Sequence, residues 1–353
     1  MAGDPMARRK TVREAMWRHG LATAVISVLS ALVLAGCGVL WPTATPTPTP
    51  TATATATLTP SPTATATATT TPTPSPTPTP TATPTPTLPP LQAQVELSQP
   101  SVAQGHSVAL RVTSNRMARV RGTIEGRPLY FVSEDGLQHV ALWGVAAVAT
   151  PGSRGVKITI EGQDGQQVSL ETLLHVVPGS YASETISFTP EVSKLLDPAI
   201  SRPEAERVAA LYALLSPRIL WQGRFAWPVA SRITSAFGTR RLYNGQLSSY
   251  HAGVDLAGEV GDIVRAPAAG VVVLAEKLQV RGNAVILDHG AGVVSGYYHL
   301  AAIEVTVGQK VGAGDILGKV GATGLVTGAH LHWELQVGGV PVDPAEWTER
   351  SFP

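Results

Sequence analysis

Four histidines and one aspartate in the last third of the chain are spaced as residues that could share one site. His251-Ala252-Gly253-Val254-Asp255 sets a histidine four residues before an aspartate, and His330-Leu331-His332 sets two histidines two apart. His299 follows Tyr297-Tyr298, and Asn283 follows Gly282 in a strand-like run. In extended chain, residues two or four apart point to the same face. His251 and Asp255 can therefore share a face, as can His330 and His332, with Leu331 and Trp333 turned into a core. Three imidazole or carboxylate ligands plus a water make the usual open catalytic zinc site. Zinc brings the pKa of such a water to about 7. Two histidines beyond the three ligands could move protons or hydrogen-bond a developing oxyanion. Together these residues support metal-assisted hydrolysis. Each piece alone has a plainer reading, since H-x-x-x-D recurs by chance and an isolated H-x-H is commonly structural. The weight comes from their sharing a segment that holds five of the nine histidines. The fifth, His289 in Leu287-Asp288-His289-Gly290, sits at a strand-to-turn junction and reads as structural.

Elements stiff enough to fix such residues are legible around them. From Phe225 onward the chain is rich in Gly and Val. Val271-Val272-Val273-Leu274, Ala284-Val285-Ile286-Leu287 and Leu331-Trp333-Leu335 supply apolar strand positions, giving an all-β domain over 225–353. Residues 91–180 alternate at period two in several short runs, among them Ser107-Val108-Ala109-Leu110-Arg111-Val112 and Val156-Lys157-Ile158-Thr159-Ile160. Short strands separated by Gly and Pro turns predict a β-sandwich of immunoglobulin-like character, although the Cys…Trp…Cys landmarks are missing. His106, His139 and His175 stand isolated there and read as ordinary surface or partly buried residues. Residues 181–224 read as a short helical connector. Pro203 suits a first helical turn, with Glu204 and Glu206 beside the positive dipole end. Val208, Leu211, Tyr212 and Leu215 follow on one face, and Ser216-Pro217 ends the helix.

The N-terminal quarter is of another kind. Arg8, Arg9, Lys10, Arg13 and Arg18 precede an uncharged apolar run from Leu21 to Ala35, which ends in Gly36-Cys37. At about 15 residues the run is shorter than the ~20 that span a bilayer and fits the core of an export signal. Leu34-Ala35-Gly36-Cys37 resembles the bacterial lipobox, in which the cysteine thiol receives diacylglycerol, so residues 1–37 are expected to be a lipoprotein-type signal with Cys37 the lipidation site. Residues 38–90 are dominated by Thr-Pro and Thr-Ala repeats without charge. They read as a Pro/Thr-rich disordered linker, since proline fixes φ and removes a donor. Extended, it would reach on the order of 150 Å. The expected location is the cell envelope, outside the cytoplasm, on a membrane anchor. The whole chain carries a formal net charge of +1. Without the five leader cations and the acids Asp4 and Glu14, 21 basic residues face 23 acidic ones, a net of −2. Such a surface has no basic excess for phosphates, so nucleic acid is not an expected partner. A single cysteine excludes a disulfide framework and cysteine-rich zinc sites.

Residues 225–344 resemble the lysostaphin-type (LytM-like) zinc metallopeptidases. The matching stretches are Trp227-Pro228-Val229, Ile233-Thr234-Ser235-Ala236-Phe237-Gly238, His251-Ala252-Gly253-Val254-Asp255-Leu256, Gly282-Asn283, Tyr297-Tyr298-His299-Leu300, Gly321-Ala322-Thr323-Gly324, and Thr327-Gly328-Ala329-His330-Leu331-His332-Trp333-Glu334, closed by Val342-Asp343-Pro344. The resemblance covers about a third of the chain. It implies a β-rich barrel-sandwich hybrid with a groove over an antiparallel sheet. It also implies zinc held by His251, Asp255 and His332, with catalytic roles for His299 and His330. We take His330 as the general base and His299 as the oxyanion stabiliser, the two roles being exchangeable at this stage. The implied substrate and partner is peptidoglycan, cut in its stem or bridge peptides. Arg240-Arg241-Leu242-Tyr243-Asn244-Gly245 resembles a variant found where another domain precedes the peptidase. Two other readings compete. One is a non-catalytic relative that binds wall or activates amidases, against which all five site residues are present. The other is a biotinyl- or lipoyl-type carrier, which would need Lys319 at an exposed hairpin tip.

Overall fold

The computed structural model describes residues 88–243 and 246–353. The expected signal, Cys37 and the Pro/Thr linker lie outside the described residues. Residues 91–180 alternate as their sequence predicts: Val156, Ile158 and Ile160 are buried while Lys157 and Thr159 face water. Burying such apolar faces takes two sheets packed together. One sheet runs Ala93–Leu97, Ser107–Ser114, Gln138–Gly144, Phe131–Val132, and the other Ser101–Ala103, Gln167–Val177, Gly152–Gly162, Ala118–Ile124, Arg127–Leu129. Val108, Leu110, Val112, Val156, Ile158, Ile160 and Leu174 fill the space between them.

The C-terminal part is all-β. Its main sheet follows the order Ile233–Ser235, Gly253–Ala257, His330–Val337, Val293–Leu300, Asn283–Gly290, Gly270–Lys277, Lys310–Val311, every neighbour antiparallel. A three-stranded sheet of Ile263–Arg265, Ile316–Lys319 and Ala302–Ile303 packs with it. Lys319 lies in the middle strand of that small sheet, and its Nζ is 3.8 Å from Glu304. It is not at a hairpin tip, which removes the carrier reading. Leu256, Leu331, Trp333, Leu335, Val285 and Leu287 form the core of this domain. Ala109, Val132 and Leu142 of the sandwich join the same cluster. The short helix Pro344–Glu349 fastens the contact: Ser107 N–H donates to Glu346 Oε2 at 2.8 Å, and Trp347 Nε1–H donates to Ser107 Oγ at 3.1 Å. His106 Nδ1 lies 3.3 Å from the same glutamate.

The connector differs from its sequence reading in three respects. It is not only helical, because Ser183–Ile186 is a strand paired in parallel with Arg240–Tyr243. Its long helix spans Pro198–Tyr212, starting five residues before Pro203. Asp197 caps it by accepting from Ala199 N–H at 2.8 Å, and Pro198 takes the first-turn position expected of Pro203. Pro203 is therefore inside the helix, and Leu215, past the helix end, is exposed. Third, Glu204 does not sit beside the positive end of the helix dipole. It is buried, and its carboxylate accepts from the backbone N–H groups of Gln279, Val280 and Arg281 at 2.7, 2.8 and 3.0 Å. Val208 and Tyr212 pack on Leu274, Leu278, Ile286, Val294 and Tyr298 of the main sheet. The connector helix thus covers one face of the C-terminal sheet, because its apolar stripe and that face would otherwise both meet water.

Candidate metal centre

Strand register assembles the site. Asp255 lies directly opposite His332 in the antiparallel pair, and Tyr298 lies opposite His332 on its other side. His251 enters the same row just before its strand. The approach is close at Gly253, where a Cβ would meet the Trp333 carbonyl oxygen at 2.3 Å, so only glycine allows it. Nε2 of His251 is 3.0 Å from both Asp255 Oδ1 and His332 Nδ1, and His332 Nδ1 is 2.8 Å from Asp255 Oδ1. Donor atoms on a tetrahedral zinc lie roughly 3.3 Å apart at ordinary bond lengths. The cluster needs to open by only a few tenths of an ångström to fit one. It is the metal-competent group found among the described residues. Its tautomers suit a metal as well. The Nδ1–H of His251 donates to Ala236 O at 3.0 Å, which leaves Nε2 unprotonated.

The two other histidines close one side. His330 shares the face of His332, as period two requires, and its Nε2 is 3.7 Å from Asp255 Oδ1. His299 departs from its strand's alternation. Tyr298, next to it, already stacks on His332 with ring centroids 5.6 Å apart. His299 reaches the same site because its φ is +65°, a left-handed conformation unusual for a side-chain-bearing residue. Its ring lies 5.1 Å from that of His330 and 6.1 Å from that of His332. Two contacts hold the twist. His299 N–H donates to Arg281 O at 2.9 Å, and its Nδ1–H donates to Thr323 O at 2.8 Å. Asn283, singled out beside the histidines, anchors this corner by donating its amide N–H to Leu300 O at 2.9 Å. His289, by contrast, is fully buried between Ala269 O and Ser295 Oγ, both at 2.7 Å, with no path to the cluster.

Electrostatics follow from burial. Desolvation opposes the charge of Asp255, yet the hydrogen bonds with His251 and His332 outweigh it and hold the carboxyl well below the usual range. Burial lowers His332 to about 4. Burial, then the neighbouring His332 and His330, lowers His299 to about 3, so it is neutral in ordinary solution. A groove of about 220 Å³ opens over these residues. Ile186 and Phe188 of the connector, Tyr243 and Tyr250 of the adjoining hairpin, and Val280 and Leu325 also line it.

Two residues missed in the sequence, Arg241 and Ser235, touch the cluster, and a third, Glu184, touches both of them. Arg241 donates to Asp255 Oδ2 at 2.5 Å and, through Nε, to Glu184 Oε1 at 2.8 Å. Ser235 Oγ lies 3.0 Å from Glu184 Oε1 and 3.1 Å from His251 Nδ1. Arg241 and Ser235 stand in stretches that carry the resemblance, but nothing in spacing marks them as site residues. Glu184 lies 71 positions before Asp255 and carries no signal at all.

Comparison with known proteins agrees with this geometry. The sequence profile of Peptidase family M23 matches residues 249–344. A Pseudomonas aeruginosa crystal structure described as a peptidase M23 is 30% identical, with TM-score 0.50. The match covers 66% of this chain and 88% of that one. The chain belongs to peptidase family M23. Among curated M23 relatives, the peptidoglycan DD-endopeptidase ShyA of Vibrio cholerae is 42% identical over 120 residues, 33% of this chain and 28% of that protein. The lipoprotein NlpD/LppB homolog of Pseudomonas aeruginosa is 35% identical over 129 residues, 36% of this chain and 41% of that protein. The chain thus spans well under half of these curated relatives. The M23 profile begins after Glu184, Ser235 and Arg241.

Proposed function

We propose that this protein is a zinc-dependent endopeptidase that hydrolyses peptide bonds in the stem or cross-bridge peptides of peptidoglycan, working in the cell envelope from a lipid anchor on Cys37. The observation that carries the reading is the convergence of His251, Asp255, His332, His299 and His330 on one groove. His251 Nε2, Asp255 Oδ1 and His332 Nδ1 are the zinc ligands. Zinc bound there supplies Lewis acidity and an acidified water. His330 donates its Nδ1–H to Gly328 O at 2.9 Å, so its Nε2 is basic and serves as general base. Its side chain is more exposed than that of His299, so an imidazolium costs less there. The oxyanion role expected for His299 requires a donor, yet its Nδ1–H is committed to Thr323 O and its Nε2 is an acceptor when neutral. We therefore assign His299 to orienting the attacking water by accepting one of its O–H bonds.

Names borne by M23 relatives support peptidoglycan as substrate and a lipoprotein anchor. The non-catalytic alternative has less support, because no site residue is missing. The deciding experiment incubates the purified protein and zinc with peptidoglycan sacculi and analyses released fragments by mass spectrometry. New amino and carboxyl ends within stem or bridge peptides are expected. New reducing sugar ends, a free lactyl group, or no release would overturn the endopeptidase reading. His251→Ala, Asp255→Ala and His332→Ala should each lose both zinc and activity. Cys37→Ser should abolish detergent partitioning.

A further inference from the structure

Glu184, Arg241 and Ser235 form a second layer behind the metal cluster, and all three precede the residues 249–344 that the family profile matches. The strand Ser183–Ile186 lies parallel to Arg240–Tyr243 with Glu184 opposite Arg241. The Arg241 guanidinium joins Glu184 Oε1 to Asp255 Oδ2, the aspartate oxygen not aimed at the two histidines. Ser235 Oγ donates to Glu184 Oε1 at 3.0 Å and, with Ala236 O, shares the His251 Nδ1–H, at 3.1 and 3.0 Å. One carboxylate therefore steadies two ligands by two routes. Arg241 and Asp255 are both mostly buried, with side-chain exposures of 15% and 11%.

We propose that Glu184 and Arg241 are positioning residues that set the zinc affinity of the site, so that the connector strand is part of the metal centre. The inference rests on the zinc reading above. Arg241 occupies Oδ2, which fixes the carboxylate plane and leaves Oδ1 for the metal. A bidentate guanidinium fork suits that bridge and a lysine does not. Glu184 has three effects. It orients the fork, and its charge offsets the guanidinium. An unbalanced cation next to two neutral histidines and one carboxylate would repel a dication. Glu184 also accepts a hydrogen bond from the Ser235 hydroxyl, so the serine oxygen faces His251 Nδ1–H and favours the tautomer with Nε2 open. Outer partners of this kind typically change metal affinity 10–100-fold.

The test is zinc affinity of the full-length protein by competition with a chromogenic chelator, a readout separate from hydrolysis. Glu184→Gln, which keeps the shape and removes the charge, should bind zinc about 10–100-fold more weakly than wild type. Arg241→Lys should show a loss of similar size. The double variant should lose less than the product of the two single losses, because both act through one bridge. Thermal unfolding of the metal-free proteins separates this from misfolding, and Glu184→Gln should unfold within a few degrees of wild type. If Glu184→Gln and Arg241→Lys both bind zinc within twofold of wild type, the positioning role is overturned and the zinc reading stands. If metal-loaded wild type holds no zinc, the zinc reading fails and this inference falls with it.

Discussion

The roles proposed for His299 and His330 can be separated from those of the proposed ligands. Neither supplies a donor atom to the three-atom cluster, so His299→Ala and His330→Ala should retain near-stoichiometric zinc in elemental analysis. Both should lose roughly 10²–10⁴-fold in kcat, the usual range for acid–base contributions. The His299 variant has a further consequence. Its left-handed φ of +65° is held by Arg281 O and Thr323 O, so removal of the ring frees a strained corner. Gly282 has φ +66°, and a Cβ there would sit 2.2 Å from Thr323 Oγ1. Gly282→Ala should displace the same corner and lower kcat while zinc content stays unchanged.

At the scale of elements, the connector helix Pro198–Tyr212 is packed onto the sheet that bears the candidate site. Glu204 gathers three backbone N–H groups of residues 279–281, and Arg281 O in turn receives the His299 N–H. Tyr212 and Tyr298 share a hydrogen bond of 2.6 Å beneath the site. Replacing Glu204 by Ala leaves buried donors without an acceptor, at about 1–3 kcal/mol per unsatisfied group. Glu204→Ala should therefore lower the thermal midpoint and kcat together. A fragment starting at 225 lacks the helix and bares Leu274, Leu278 and Tyr298. It should unfold at lower temperature than a fragment starting at 181, as differential scanning calorimetry of the two would measure. If the midpoints coincide, the helix is a passive cover.

Across the whole molecule, the described residues from 88 onward fall in one compact unit, in which the sandwich and the C-terminal domain share apolar core through Ala109, Val132 and Leu142. Global stability should report titration of groups buried in that core. Burial lowers His289 to about 4, while its unfolded value is near 6.5. The folded state thus binds fewer protons, and His289 contributes full stability above about pH 6.5. That contribution is lost as pH falls from 6.5 towards 4 and amounts to roughly 3 kcal/mol at most. Thermal unfolding followed between pH 7.5 and 4 should show the decline, and His289→Gln should make it shallower, the remainder coming from His299 and His332. An equally steep decline in the variant would assign it to other groups.

The sequence by itself determined the elements and most of the chemistry. Period-two alternation marked the strands of 91–180, since a half-buried sheet has no other pattern. H-x-H and H-x-x-x-D marked residues that extended chain puts on one face. The motif order from Trp227 to Pro344 tied them to a peptidase family. What the tertiary structure decided depends on contacts between distant segments and on backbone conformation. Alternation alone would turn His299 away from Tyr298 and out of the site, and only its positive φ brings it back. Pro203 looked like a helix start, but Asp197-Pro198 offered a better cap five residues earlier. Glu204 reads as a partner of the helix dipole, and nothing in the sequence marks Glu184. Each became a buried or half-buried acceptor, because a helix face and a parallel strand carried it onto backbone and side-chain donors many positions away. Local periodicity reports which face a residue takes, and the partner that face meets is fixed only when the sheets close.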